Sequence, residues 1–189
     1  MPKFIIDAGH GNDTPGKRSG ELLEWRFNRH VMKYVTFELD ALSIPYYVLV
    51  PEDYDVPLRT RSAEANKYAA ENGDCILLSI HGNAYSGTNP ERVVGIETWY
   101  HSPIGAGLAS IFQEELVKEL RWRDRGLKKG NFWILKKTSM PAVLVELGFY
   151  TNPEEREKML DAEYQYRMGT ALTSAIKIII VNHENKNVF

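Results

Sequence analysis

The sequence predicts an α/β fold, a mostly parallel sheet with helices packed on both faces. Three stretches carry that reading. Phe4 to Ile6 is an apolar run that stops at Asp7-Ala8-Gly9-His10-Gly11, Cys75 to Ile80 is a second that ends at His81-Gly82, and Ala142 to Val145 is a third that carries Glu146 just before Gly148. Short runs of Ile, Leu and Val bounded by turn residues read as strands buried on both faces, and such strands belong to parallel sheets. Stretches of helical periodicity lie between them, the alternation that builds βαβ units. The carboxyl ends of parallel strands share one edge of a sheet, so His10, His81 and Glu146 are expected to converge there despite their separation in sequence.

Taken in order, the first strand is followed by a loop from Gly11 to Gly20, dense in Gly, Asn, Asp, Pro and Ser. Its segment Gly11 to Lys17 nearly spells a phosphate-binding loop. Arg18 stands where that motif needs Ser or Thr for magnesium, and Pro15 lacks one of the N–H groups that would cradle phosphate, which argues against nucleotide. Glu21 to about Leu42 reads as an amphipathic helix with Leu23, Phe27, Val31, Tyr34 and Val35 on one face. Glu24 falls inside that apolar arc, and Glu21 lies on its flank. A carboxylate on a core-facing stripe is costly unless it is paired or bound to a metal. Glu38 shares the face but lies on the order of 20 Å further along the axis. Only Glu24 and Glu21 can reach the loop that carries His10.

Pro45 to Val50 reads as the second strand, and Pro57 suits the first turn of a helix through Leu58, Arg61, Ala65 and Ala69 to Gly73. After the His81 strand, Gly82 to Pro90 is a loop, Val93 to Tyr100 a strand and Pro103 to Trp122 a helix. Asn131 to Lys136 is predicted as a short strand, followed by the Glu146 strand. Thr151-Asn152-Pro153 opens a helix at Glu154, and the last helix runs from about Ala162 into Val181. The polar tail beyond it is expected to fray. No repeat, low-complexity segment or linker interrupts the chain, so residues 1–189 read as one domain.

At 189 residues and 43% hydrophobic content, the chain can bury roughly 70% of the surface its unfolded form exposes. A net charge of -2 without any dense Lys or Arg run argues against nucleic acid. Cys75 is the single cysteine, which excludes an intramolecular disulfide, and its apolar setting reads as a small buried core residue. Phe4 to Ile6 is far too short for the apolar segment of a secretory signal, and Ile176 to Val181 is too short to span a bilayer. The expectation is a protein made in the cytoplasm with no membrane insertion.

Two histidines and a glutamate are a common donor set for a catalytic zinc, with the fourth position left for water. There is no His-Glu-x-x-His helix, so the reading rests on sheet topology. His30, His101 and His183 lack comparable settings and read as surface or packing residues. Asn83, Asn131 and Trp133 are expected near bound substrate because of their neighbourhoods. A glutamate tied up by Arg59 or Arg61 is the alternative for Glu146.

Several of these pieces occur together in one known family. Asp7 to Gly11, Glu24 with Asn28, Leu58 to Arg61 with Ala65-Asn66, Leu78 to Ala84, Gly95 to Thr98, Arg125 to Lys128, and Pro141 to Phe149 with Thr151-Asn152 resemble, in order and over nearly the whole chain, the zinc-dependent N-acetylmuramoyl-L-alanine amidases. Ala8 stands where many relatives have proline, Gly82 where many have alanine, and Trp25 where a basic residue is more frequent. Asn28, four residues after Glu24, matches the family offset and favours Glu24 over Glu21.

The resemblance implies a twisted, mostly parallel six-stranded sheet, zinc held by His10, Glu24 and His81, and Glu146 as the catalytic carboxylate. It also implies peptidoglycan as substrate, cut at the amide between the lactyl group of N-acetylmuramic acid and L-alanine. A monomeric catalytic domain over 1–189 with no separate wall-binding domain is expected, acting on the wall once the membrane is breached, as the phage lysins of the family do. The competing expectations are a wall-binding or regulatory module without turnover and a zinc hydrolase of another amide, and the alternative to a lysin is a trimmed catalytic domain of a secreted autolysin.

Overall fold

The computed structural model describes residues 1–14 and 16–185. Pro15, one of the two residues that argue against a phosphate loop, and the end of the tail expected to fray, 186–189, lie outside them. A six-stranded sheet forms the middle layer. Its strands are β1 (Lys3–Ala8), β4 (Tyr46–Val48), β5 (Cys75–Asn83), β6 (Ile96–Tyr100), β7 (Asp124–Lys129) and β8 (Ala142–Phe149), in the spatial order β4-β1-β5-β8-β6-β7. Strands β4, β1, β5 and β8 are mutually parallel, β6 runs antiparallel to β8, and β7 is parallel to β6. The expected mostly parallel sheet is therefore present, with a reversed pair at one edge.

The period-two alternation of a strand sorts the core into two layers. Phe4, Ile6 and Ala8 of β1, Ile76, Leu78 and Ile80 of β5, and Val143, Val145 and Leu147 of β8 face helices α1 (Glu24–Ala41), α3 (Pro103–Leu120) and α6 (Ala162–Glu184). The intervening Ile5, Leu77 and Leu144 face α2 (Leu58–Asn72) and the short α4 (Trp133–Lys137) in a smaller cluster that includes Cys75, buried as expected. On this second face the apolar rows turn polar toward the carboxyl ends of the strands. Ile5 is followed two residues later by Asp7, Leu77 by Ser79 and His81, and Leu144 by Glu146. One sheet face thus supplies a core in its lower half and a chemical site in its upper half.

Local signals set the helix ends. Ser102 caps α3 by accepting from the Gly105 N–H at 3.0 Å, Asn152 caps α5 (Pro153–Leu160) through the Glu155 N–H, and Asp161 accepts from two N–H groups at the start of α6. Each side-chain oxygen satisfies donors that the first turn leaves free. No described helix is long and apolar enough to cross a membrane.

Two expectations need correction. The stretch 131–136 does not form a strand: Trp133–Lys137 is α4, with Ile134 and Leu135 both buried between exposed neighbours. Adjacent residues of a strand face opposite ways, so a buried doublet against one core requires the helical turn. The remaining strand is β7, whose Asp-Arg-Gly-Leu-Lys-Lys sequence lies at the sheet edge with no residue fully buried. An edge strand of this kind carries charge rather than an apolar run, which hides it from a hydrophobicity pattern.

The second correction moves the start of the first helix from Glu21 to Glu24. A small antiparallel pair, β2 (Arg18–Ser19) with β3 (Leu22–Leu23), occupies the preceding segment, and Glu21 sits exposed in its turn.

Candidate metal centre and active site

His10 follows β1, Glu24 is the first residue of α1, and His81 lies near the end of β5. His10 Nε2 and His81 Nδ1 approach the same oxygen, Glu24 Oε1, at 3.2 and 3.1 Å. One ligand atom from each residue lies within 4.8 Å of the others. Donors on a tetrahedral zinc at roughly 2.0–2.1 Å stand about 3.3 Å apart, close to the separation of each histidine nitrogen from Glu24 Oε1. The donor types fit as well, with imidazole nitrogens and a carboxylate in a partly buried corner. Glu21, exposed in the β2–β3 turn, is not part of the cluster.

The surroundings hold these three side chains from several directions. Glu24 is 1% exposed and begins a helix, where unpaired N–H groups favour an anion. Its second oxygen accepts from the Tyr150 hydroxyl at 3.2 Å. Burial by itself would raise the Glu24 pKa, but the hydrogen bonds and charges of His10 and His81 outweigh it and hold the group at about 2. Burial likewise opposes the charged form of His81, and Glu24, with Glu146 and Asp7, shifts the balance upward. Gly9 leaves room for the His81 ring: a Cβ there would stand 2.0 Å from its Cε1.

Glu146 comes from the neighbouring strand, directly in register with His81. No ion pair with Arg59 or Arg61 is present; Arg61 instead binds Asp7 at 2.7 Å and Asp55 at 2.8 Å. Glu146 Oε2 is buried without a hydrogen-bond partner among the described residues. Burial pushes its carboxyl up to about 8, with His81 and Lys17 opposing and Glu24 and Glu97 adding to the rise. Just past this point the β5–β8 register shifts, and Gly148 takes φ 93°. Its missing Cβ also clears Trp122, which would lie 2.4 Å away. Irregularities of this kind re-aim side chains at strand ends.

All four residues line one cleft of about 540 Å³. Pro57, Leu58, Phe132 and Trp133 form an apolar wall, while Lys17, Thr14 and Asn83 are among the polar lining. Of the residues expected near substrate, Asn83 and Trp133 line the cleft and Asn131 does not. His101 bonds the Gly130 carbonyl and His183 pairs with Asp74, both away from the cluster. The sequence reading missed Tyr150, Arg29 and Glu97. Glu97 faces Glu146 across the antiparallel pair and is held by Arg125 at 2.8 Å. Glu97 lies in the Gly95–Thr98 segment of the resemblance but is assigned no role there, and Tyr150 and Arg29 do not stand out by type or spacing.

Comparison with known proteins shows the family. The Amidase_3 family, N-acetylmuramoyl-L-alanine amidase, matches residues 4–178. The chain belongs to this family. It is 33% identical over 175 residues to the uncharacterised protein YqiI of Bacillus subtilis strain 168, which covers 90% of this chain and 81% of that protein. It is 34% identical over 173 residues to the N-acetylmuramoyl-L-alanine amidase LytC of the same organism, covering 89% of this chain. The match spans only 34% of LytC, so the chain corresponds to about a third of that relative. Among solved structures, an N-acetylmuramoyl-L-alanine amidase from Clostridium difficile 630 superposes with a TM-score of 0.86 at 30% identity, over 95% of this chain and 96% of that one. AmiC2 of Nostoc punctiforme, also an N-acetylmuramoyl-L-alanine amidase, gives 0.85 at 28% identity over 95% and 97%.

Proposed function

We propose that this family member is a zinc-dependent peptidoglycan amidase that cleaves the bond between the lactyl carbonyl of N-acetylmuramic acid and L-alanine. The observation that carries the reading is the placement of Glu146, half-buried and with an enclosed Oε2 that has no hydrogen-bond partner among the described residues, in register with one member of a three-donor cluster. His10, Glu24 and His81 would hold the ion. A bound zinc would lower the pKa of water toward 7 and polarise the scissile carbonyl.

Glu146 then carries the proton. Its carboxylate accepts one proton from the attacking water as the C–O bond forms, and returns it to the alanine nitrogen as the C–N bond breaks, because an amide expels an unprotonated amine poorly. A pKa raised by burial suits a group that must both take and give a proton near neutral pH, and a bound cation would draw it down from about 8. The apolar wall of Leu58, Phe132 and Trp133 gives the substrate a surface that excludes water from one side of the cleft.

Digestion of purified wall tests the proposal through the groups released. New alanine amino ends support it, new peptide ends elsewhere favour a hydrolase of another amide, and no release favours a wall-binding module. Metal analysis of the active protein should find about one zinc per chain. Cytoplasmic synthesis followed by action after membrane breach, by one catalytic domain working as a monomer, belongs to the same proposal. The start of the native reading frame and the sedimentation of the protein test those parts.

A further inference from the structure

His10 has φ 63°, in the left-handed region that a residue with a Cβ avoids. Something must hold it there, and two buried arginines converge on its segment of chain. Arg29, on α1 and 4% exposed, donates to the carbonyls of Ala8 at 2.7 Å, Gly9 at 3.4 Å and His10 at 3.0 Å. Its remaining bonds reach the Glu52 carbonyl at 2.9 and 3.2 Å, so all its hydrogen bonds end on backbone oxygen. Arg61, on α2 and 2% exposed, adds bonds to the Ala8 and His10 carbonyls at 2.9 and 3.2 Å. Asn28 contributes one more, to the Gly9 carbonyl at 3.1 Å. Gly11, on the far side, is pressed against the next loop, where a Cβ would meet the Asp55 nitrogen at 2.0 Å.

We infer that Arg29, supported by Arg61, is a positioning residue for His10: it clamps three successive carbonyls and keeps the histidine in the left-handed conformation that brings its ring to Glu24. A planar guanidinium can bond several carbonyls in fixed directions, whereas the lysine ammonium is a point donor at the end of a flexible stem. The fork explains why a buried cation with only carbonyl acceptors occupies this place. Arg29 neither lines the cleft nor belongs to the donor cluster, so its effect passes through His10. The inference rests on the proposed metal site only for its consequence, not for the conformation itself.

The test compares the wild type with Arg29→Lys and Arg61→Lys. In metal-free protein, a positive φ brings a residue's amide proton close to its own Hα, so wild-type His10 should give a strong intraresidue NOE. Arg29→Lys should weaken that NOE, and Arg61→Lys should do so to a lesser degree because Arg29 remains. On titration with zinc, Arg29→Lys should bind about 10- to 100-fold more weakly, the usual effect of losing an outer-shell partner. In that variant the ring signals of His10 should lose their metal-induced shift while those of His81 keep theirs. An unchanged NOE in Arg29→Lys overturns the inference, as does equal loss at both histidines. Loss of fold in both variants also overturns it, because the arginines would then serve the whole domain. If wild-type protein takes up no zinc, the metal reading fails, while the NOE comparison still decides the clamp.

Discussion

Where α1 begins, Glu24 accepts from His10 and His81 on one oxygen and from Tyr150 on the other, whereas at the end of β8 Glu146 keeps a buried oxygen with no partner among the described residues. Glu24 is buried, Glu146 is half-buried with its Oε2 enclosed, and both line the same cleft. Their protonation moves in opposite directions: hydrogen bonds and histidine charge overcome burial and hold Glu24 at about 2, while burial carries Glu146 up to about 8. Burial alone therefore does not assign a role to a buried acid. The partner count does, because a fully bonded anion stays an anion and can hold a cation, while an unsatisfied one can gain and lose a proton.

The largest test of that contrast removes the bonded corner. His10→Ala, His81→Ala and Glu24→Ala should each lose zinc and with it nearly all hydrolysis, while Glu21→Ala should retain both. Metal content by emission spectroscopy reads this directly, and zinc retained in Glu24→Ala would erase the contrast. Strong chelators should likewise stop hydrolysis with little change in far-UV circular dichroism, since the cores on both sheet faces are independent of the site.

Next in size is Glu146→Gln, which keeps shape but cannot carry the proton. Release of alanine amines from wall should fall by about 10²- to 10⁴-fold while zinc stays stoichiometric. Loss of zinc in this variant would make Glu146 a ligand and put the two carboxylates in one class.

A smaller effect is expected at Tyr150→Phe, which removes the bond to the second Glu24 oxygen. Zinc affinity should drop by about tenfold, the lower end for an outer-shell partner, with Glu146-dependent turnover intact at saturating metal. Competition against a chromogenic chelator measures it.

The mildest test is the stability of metal-free protein against pH. Glu24 has its folded pKa below the ordinary 4.5, so its contribution is present above that value and is lost as pH falls toward about 2. Glu146 has its folded pKa above the ordinary value, so its contribution is complete below 4.5 and declines as pH rises toward about 8. Thermal melts should show Glu24→Gln flattening the acid limb and Glu146→Gln flattening the limb between about 4.5 and 8. The same limb flattened by both variants would contradict the opposite shifts.

Much of this arrangement is legible in the sequence where apolar pattern and topology coincide. The runs ending at His10, His81 and Glu146 announce β1, β5 and β8, and the parallel-sheet rule brings their ends together. Glu24 is visible because a carboxylate interrupts an apolar helix face. Other parts leave no such mark. Asp124–Lys129 pairs as a strand through backbone hydrogen bonds while showing charge outward, and Ile134-Leu135 reads equally well as strand or helix until the neighbouring core is known. Tyr150 matters through one hydroxyl, and Arg29 through carbonyls that every residue possesses. Arg29 also lies about 140° around α1 from Glu24, off the apolar stripe.

The spatial order β4-β1-β5-β8-β6-β7 places the last strand in the sequence between two groups that precede it. Strands β4, β1 and β5 can pair among themselves, and β6 can pair with β7, but only β8 joins the two groups. During synthesis, His10, Glu24 and His81 all leave the ribosome before Glu146, and the edge of β5 stays open until residues 142–149 arrive. Closing that gap requires contacts between residues more than 60 positions apart, the kind that slows folding. The same strand that completes the sheet delivers Glu146, so under the proposed function the proton carrier arrives together with the closing of the sheet. An unfinished chain would then hold the proposed metal donors without the group proposed to turn them to cutting.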